Sequence, residues 1–252
     1  MKAITNSKDC PRCGGGHKSR PFCLYGNGWH CFSCGYSKSA DRSYSVREQT
    51  SKIPDWPEAC SRLAEFSVVA QLWLAEYSIT EELVQQYNIF YTQDNSLIFA
   101  VFDKEKVIFY QKRSMIERFI TTYGQKIPYI LNNLVTKEVL VIVEDYISAI
   151  RVNQAGYNVV CLWGTKVAYN DLHQWFKEYT NILVWLDNDH LKQTNSGQEA
   201  AKKIVTMGES ILIKGYGFSG IHKCIYNVCT LQDPKLYSNT VVKTIVQGAM
   251  NG

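Results

Sequence analysis

The strongest constraint on the fold is the regular alternation of strand and helix patterns from residue 139 onward. Four strand-like segments are separated by three helix-like ones: the strands are Val139–Val143, Val159–Trp163, Ile182–Leu186 and Ser210–Ile213, and the helices are Tyr146–Gln154, Asn170–Glu178 and Glu199–Met207. Parallel strands need a crossover connection, which is usually a helix. The alternation therefore predicts an α/β fold with a parallel sheet and flanking helices.

The segment before this alternation has a different pattern. Apolar residues at helical spacing follow Glu58, and Thr80 with the two glutamates after it has the form of an N-cap that opens a second short helix. Two strands, Ser96–Asp103 and Lys106–Ser114, are predicted to form a β-hairpin because only a short turn separates them. The pattern predicts an α+β segment in which two helices precede any strand.

Paired cysteines mark the N-terminal end of the chain. Two C-x2-C motifs, separated by 17 residues, supply the thiols of Cys10, Cys13, Cys31 and Cys34. This spacing is typical of a zinc ribbon, and four thiolates complete a tetrahedral structural site. Cys23, His17 and His30 are alternative ligands, although four thiolates leave no position for them. The other alternative is a set of free or redox-active thiols.

The same end of the chain is the basic one. Residues 1–50 hold eight Lys or Arg and three Asp or Glu, a net charge of +5, whereas the remaining 19 basic and 20 acidic residues give a net charge of −1. Arg12, Lys18 and Arg20 lie among the cysteines and are candidate contacts for nucleic acid, because clustered cations attract phosphates. The alternative is a solvated basic face on a small metal-built module.

The spacing of these segments predicts five parts in the chain. They are a zinc ribbon that is small and β-rich (1–38), a polar linker (39–57), an α+β subdomain (58–135), the parallel-sheet domain (136–215) and a C-terminal extension (216–252). With 46% apolar and 20% charged residues, the composition is that of a folded protein, which excludes a disordered chain. No apolar run reaches the roughly 18 residues of a membrane span, and no secretory signal is recognisable. We therefore expect no membrane partner and a cytoplasmic location.

Acidic residues follow two of the predicted parallel strands. Glu144 comes directly after Val139–Val143, and Asp187 and Asp189 come directly after Ile182–Leu186. Open α/β sheets bind ligands at the carboxyl ends of their strands, and clustered carboxylates hold Mg²⁺ or Mn²⁺ beside phosphates. The sequence therefore predicts a divalent metal site at this edge. The alternative is that these acids cap the helices that follow them.

Three stretches in this half of the chain carry a resemblance to a known family. They are VLVIVEDYISAIRV (139–152), CLWGTK (161–166) and ILVWLDNDHLKQTNSGQEAAKKI (182–204), and they resemble a Toprim domain. With the ribbon sequence WHCFSCGYS ahead of it, the order of parts resembles the DnaG-type DNA primases of bacteriophages. Three features depart from the family: Asp145 stands where Gly is usual, Ser148 stands where many members have a further acid, and the connection from Asp189 to Gly197 is longer.

The resemblance implies an enzyme. A primase of this family is a DNA-directed RNA polymerase that makes short RNA primers on a single-stranded DNA template from ribonucleoside triphosphates, here during phage DNA replication. Glu144, Asp187 and Asp189 would then be the catalytic residues that hold Mg²⁺ or Mn²⁺, and the zinc ribbon would read the template. If the gene belongs to a phage, the cytoplasm is that of the host cell.

Three basic residues resemble those with which the family's preceding subdomain grips template and nucleotide; they are Lys112, Arg113 and Lys126. The alternative is that they are solvated charges at strand ends. Because the chain has no G-x4-G-K-[ST] segment, the replicative helicase is expected to be a separate polypeptide. An alternative function is that of a RecR-like mediator, which keeps zinc and Toprim but only binds DNA. The separation of about 100 residues between the two parts favours the primase.

Overall fold

The computed structural model describes two parts of the chain. The described residues are 5–7, 22–25, 28–31, 37–39, 56–117, 119–132, 137–190, 195–213 and 223–251. The chain divides into two compact units, Met1–Lys52 and Ile53–Gly252. The boundary between these units lies inside segment 39–57, for which the sequence predicts a linker.

The N-terminal unit contains a four-stranded antiparallel sheet. Its strands follow one another in chain order: β1 (Thr5–Ser7), β2 (Phe22–Tyr25), β3 (Gly28–Cys31) and β4 (Ser37–Ser39). Cys31 ends β3 and is the register partner of Phe22 on β2. The other predicted zinc and nucleic-acid residues (Cys10, Cys13, Cys34, Arg12, Lys18 and Arg20) lie outside the described residues.

The second unit begins with a five-stranded antiparallel sheet, called here the antiparallel sheet. Its strands are β5 (Ala59–Cys60), β6 (Ile89–Thr92), β7 (Ser96–Asp103), β8 (Lys106–Ser114) and β9 (Ile120–Gly124), paired in that order. The predicted hairpin is confirmed, since β7 and β8 have the predicted bounds and pair along their whole length. The expectation that two helices precede any strand is wrong, because the short strand β5 comes before both helices in the chain and pairs with β6.

Two short helices cover one face of this sheet. Helix α1 (Val68–Glu76) begins after Ser67, whose hydroxyl accepts a hydrogen bond from the amide of Ala70, and α2 (Glu81–Gln86) begins after Thr80, as predicted. Their buried side chains share one apolar core with the alternate residues Leu97, Phe99 and Val101 of β7. One face of the antiparallel sheet therefore lies in this core, and the other face points away from the helices.

The remaining strands form a second sheet, called here the parallel sheet. Its order is β10 (Tyr129–Leu131), β12 (Asn158–Cys161), β11 (Val139–Val143), β13 (Asn181–Val184) and β14 (Cys224–Asn227). All neighbouring pairs are parallel except β10 with β12. Because helices cover both faces, every residue of the central strand β11 is buried, as expected for a parallel sheet.

Four helices flank the parallel sheet. They are α3 (Tyr146–Gln154), α4 (Tyr169–Glu178), α5 (Ser196–Ile213) and α6 (Asn239–Asn251). Helices α3 and α6 pack on the face that continues into the core of the antiparallel sheet, whereas α4 and α5 pack on the other face. None of the helices in the described part of the chain is long and apolar enough to cross a membrane.

The structure differs from the sequence-based prediction near residue 210. Ser210–Ile213 was expected to be a strand, but it is the last turn of α5. The buried residues Ala201, Ile204, Gly208 and Ile211 recur every three or four positions, so they line one side of a helix. A short apolar run is therefore not enough to predict a strand where a longer helical period includes it.

The parallel sheet also extends past its predicted limits of 136 and 215. Strand β10 comes from the predicted α+β subdomain, and β14 comes from the predicted C-terminal extension. Both are only three or four residues long, which is too short to give a periodic signal in the sequence. The described residues of the extension therefore complete this sheet and its helical cover.

Candidate active site

The predicted acidic residues lie at one edge of the parallel sheet. Strands β11 and β13 are parallel neighbours, so their carboxyl ends meet there, and the amide of Trp185 extends the pairing by donating to the carbonyl of Ile142 (2.8 Å). Glu144 follows β11, and Asp187 and Asp189 follow β13 within a few residues. Burial and the charge of Asp145 raise the pKa of Glu144, and the charge of Asp189 adds to this effect.

The loop after β13 is held by amide side chains. Asn195 accepts hydrogen bonds from the amides of Asp189 (3.2 Å) and Gln198 (3.3 Å), and its own amide donates to Asn188 Oδ1 (2.6 Å). Asn188 in turn donates to the carbonyl of Thr230 (2.7 Å). These bonds tie the loop that carries Asp187 to the start of α5 and to the chain after β14.

A lysine that the sequence did not single out lies among the acids. The ammonium nitrogen of Lys235 is 2.8 Å from Asp145 Oδ2, 3.0 Å from Asp233 Oδ2 and 3.4 Å from Asp187 Oδ2. These four residues are called the Lys235 cluster. Lys235 and Asp233 belong to the predicted C-terminal extension, where the dipeptide Asp233-Pro234 is typical of a turn. The cluster therefore depends on a part of the chain that carries no motif of its own.

Asp145 is the N-cap of α3. Asp145 Oδ1 accepts from the amide of Ser148 (3.0 Å), and Oδ2 accepts from the hydroxyl of Ser148 (2.9 Å), as an N-cap of α3. At the start of α5 it is Asn195 that accepts from the amide of Gln198. The side chains that cap α3 and α5 in these contacts are therefore Asp145 and Asn195.

Burial and crowding shift the protonation of these groups. Burial, followed by the charge of Asp145, raises the pKa of Glu144 and raises that of Asp187 to about 7. Burial also opposes ionisation of Asp145, but Lys235 outweighs it and lowers the pKa of that carboxyl. For Lys235, burial is outweighed by Asp145 and Asp187, so its pKa is raised. Glu144 and Asp187 are therefore the carboxyl groups of this site that keep a proton more readily, whereas Asp145 is held in its charged form.

A cavity of about 380 Å³ lies over these acids, partly open to solvent; it is called the central cavity. Its lining includes Glu144, Asp145 and Asp187 at the edge of the parallel sheet, Lys235, Arg113 from β8 and Trp73 from α1. The guanidinium of Arg113 lies 4.8 Å from the centre of the Trp73 ring, a cation–π contact that fixes its plane. The lining of the cavity therefore combines a cation of the antiparallel sheet with the carboxylates of the parallel sheet.

The structure separates the three predicted basic residues. Arg113 lines the central cavity, but its neighbour Lys112 is on the opposite face of β8, where it pairs with Asp94 and lines a different groove. Side chains alternate along a strand, so adjacent residues cannot share a face. Lys126 approaches Gly164, a residue of the cavity wall: a β-carbon on Gly164 would stand 2.8 Å from its ammonium nitrogen.

The donor set at the strand ends fits a divalent ion, although the protein groups are not already arranged as a cage. In the described ranges, no three His, Cys, Asp or Glu side chains are grouped closely enough to hold a metal. The Oδ1 atom of Asp187 is nevertheless buried and has no hydrogen-bond partner there. A buried carboxylate oxygen without a donor needs a cation or a proton, which is consistent with a hard oxygen site.

The second unit has the fold of DnaG-type primase catalytic cores. No family model and no curated protein matches the chain. The DnaG primase catalytic domain bound to single-stranded DNA superposes with a TM-score of 0.54, at 13% identity over 72% of each chain. The Escherichia coli primase catalytic core gives a TM-score of 0.53 at 13% identity, over 75% of this chain and 73% of that one.

A third solved structure spans more of the chain. The Aquifex aeolicus primase fragment, with its zinc-binding and RNA polymerase domains, matches with a TM-score of 0.52 at 13% identity. The match covers 99% of this chain and 81% of that one. At such low identity these comparisons establish a shared fold.

Proposed function

We propose that the chain is a DNA primase that synthesises short RNA primers on single-stranded DNA by metal-dependent nucleotidyl transfer during phage DNA replication. The observation that carries the proposal is the central cavity, which Glu144, Asp187 and Arg113 line together in the fold of DnaG catalytic cores. Nucleotidyl transfer needs carboxylates for a divalent ion and a cation for the triphosphate. Both kinds of group line one cavity of about 380 Å³.

Glu144, Asp187 and Asp189 are the residues that would hold Mg²⁺ or Mn²⁺. The buried, unpartnered Oδ1 of Asp187 and the raised pKa values of Glu144 and Asp187 support this assignment, because a bound cation would relieve their mutual repulsion. A divalent ion at this position supplies charge neutralisation for the triphosphate in the reaction.

The protein's own groups bind the nucleotide and handle the proton. Burial raises the pKa of Glu144, which suits a base that accepts the proton of the attacking 3′-hydroxyl. Arg113, with its plane fixed on Trp73, binds phosphate oxygens with two parallel N–H groups. Lys126, beside Gly164, supplies a second cation at the rim. Each of these roles rests on position in the central cavity or beside it.

The N-terminal unit is proposed to carry structural zinc and to read the template. Its ligands would be Cys10, Cys13, Cys31 and Cys34, and Arg12, Lys18 and Arg20 would contact DNA phosphates. The zinc-binding domain named for the A. aeolicus primase supports the zinc assignment, and the single-stranded DNA bound to a DnaG catalytic domain supports single-stranded DNA as the template. A separate helicase would open the duplex.

Primer synthesis tests the proposal directly. The full chain, incubated with single-stranded templates, Mg²⁺ and labelled ribonucleotides, should yield short RNA oligomers. Asp187→Asn and Glu144→Gln should each lower the yield at least roughly a hundredfold, because each removes a charge from the reacting site. The matched control Asp103→Asn alters an exposed acid of the β7–β8 turn and should be fully active. A protein that binds single-stranded DNA but forms no oligomer on any template would instead support the RecR-like function.

A further inference from the structure

Lys235 lies at the centre of three carboxylates. Its ammonium nitrogen contacts one oxygen of each of three carboxylates, from Asp145, Asp187 and Asp233, at 2.8 to 3.4 Å. The side chain is 18% exposed, so these contacts are made largely away from water. The three oxygens therefore surround one ammonium group, which carries a single positive charge.

The three acids come from different places in the chain. Asp145 opens α3, Asp187 follows β13, and Asp233 precedes the single helical turn Pro234–Leu236 that carries the lysine. Burying several carboxylates side by side is unfavourable unless a cation compensates their charge. Lys235 supplies that cation from within the polypeptide.

The two oxygens of Asp187 have different surroundings. Oδ2 contacts Lys235, whereas Oδ1 is buried without a hydrogen-bond partner among the described residues. Asp187 therefore presents one oxygen to the lysine and keeps the other for a further cation. The lysine and the proposed divalent ion would be neighbours that share this carboxylate.

We propose that Lys235 takes the place of a divalent ion in the active site, so that the site loads one divalent ion fewer than its carboxylates would otherwise hold. This inference rests on the metal-dependent function proposed above. Carboxylate oxygens bind Mn²⁺ or Mg²⁺ at roughly 2.0 to 2.2 Å. Without the lysine, a contraction of about 1 Å would bring the three Oδ2 atoms onto such an ion.

Counting bound Mn²⁺ tests the proposal without any reaction. In a titration of the full chain followed by electron paramagnetic resonance, Lys235→Gln should bind one Mn²⁺ per chain more than the wild type. Because a nearby positive charge is removed, the added ion should bind at least roughly tenfold more tightly than any ion the wild type accepts at the same acids. Equal stoichiometry, with affinities within about twofold, would overturn the proposal.

Three further variants make the result specific. Lys235→Arg keeps the charge and should keep the wild-type count. Lys223→Gln changes the net charge equally, but Lys223 comes directly before β14 and donates to the carbonyl of Tyr179 (2.9 Å) instead of to the cluster. This variant should therefore bind the same number of Mn²⁺ ions as the wild type. Adding Asp233→Asn to Lys235→Gln removes one of the converging carboxylates and should abolish the extra ion. An extra ion that survives this change does not lie in the Lys235 cluster and contradicts the proposal.

A folding measurement covers the case in which Lys235→Gln is unstable. In chelator this variant should melt below the wild type, and Mn²⁺ should restore it more than it stabilises the wild type. If Mn²⁺ restores nothing, Lys235 forms only a structural ion pair and the proposal fails. Primer synthesis is scored separately: a gained Mn²⁺ site in a protein without polymerase activity would uphold the inference and reject the proposed function.

Discussion

Gly197 lies against the backbone of Asp187 so closely that a β-carbon on residue 197 would stand 2.1 Å from the Asp187 carbonyl oxygen. Nothing larger than a hydrogen fits there without moving the backbone. The first turn of α5 is therefore packed directly on the loop that carries the proposed metal ligand, and Gln198 strengthens this contact by donating to the carbonyl of Leu186 (3.1 Å).

We predict that Gly197→Ala destabilises the protein and displaces Asp187. The added methyl group meets backbone atoms that cannot rotate away, so the loss should be about 2 kcal/mol or more. Chemical denaturation measures this loss, and weaker Mn²⁺ binding reports the displacement. Gly248→Ala is the matched control, because nothing lies within 4 Å of a β-carbon there and residue 248 is inside α6. It should raise stability by about 0.5–1 kcal/mol.

The metal-free protein should lose stability as the pH rises through neutrality. Burial and Asp145 raise the pKa of Asp187 from 3.8 to about 7, so the folded protein keeps a proton that the unfolded chain releases. The stabilisation is complete below the unfolded pKa and disappears as the pH passes the folded pKa. Between pH 5 and pH 8 the free energy of unfolding should therefore fall by about 1–3 kcal/mol.

Asp187→Asn identifies the group responsible. An amide does not titrate, so the melting temperature of this variant in chelator should change less over the same pH range, and at pH 8 it should equal or exceed that of the wild type. Thermal melts at pH 5, 6.5 and 8 measure the effect. An identical pH dependence in both proteins would show that Asp187 does not carry it.

The two faces of β8 should differ in function. Arg113 lines the central cavity, whereas Lys112 pairs with Asp94 on the other face. Arg113→Gln should raise the KM for ribonucleotides at least roughly tenfold, since a charge-assisted bond to phosphate is lost. Lys112→Gln should leave that KM within about twofold. If the two variants weaken nucleotide use equally, Arg113 does not bind the triphosphate from the cavity wall.

We expect one zinc ion per chain, bound by Cys10, Cys13, Cys31 and Cys34. Replacing a thiolate removes one of the four ligands of a tetrahedral zinc site. Cys31→Ser should therefore lose the zinc, while the second unit keeps its own melting transition. Elemental analysis of protein purified without chelator measures the metal. Cys60→Ser is the control, because Cys60 lies on β5 of the other unit. Full zinc content in Cys31→Ser would contradict the ligand assignment.

Local patterns were enough to predict most of the second unit. Strand β11 and helix α3 have their predicted bounds, as do both strands of the hairpin, because the apolar run or the helical period that marks each element is complete within its own segment. The placement of Glu144 and Asp187 at one edge also follows from the sequence, since parallel strands joined by helices must end on the same side.

The Lys235 cluster could not be predicted in the same way. Lys235 and Asp145 are 90 residues apart, and their contact exists because β14 adds to the edge of the parallel sheet and returns the chain to the carboxyl ends of the strands. The two faces of β8 likewise acquire their surroundings only when the parallel sheet and the helices pack on one of them. Periodicity describes the chain over a few residues, whereas an ion pair depends on where distant segments meet in the folded core.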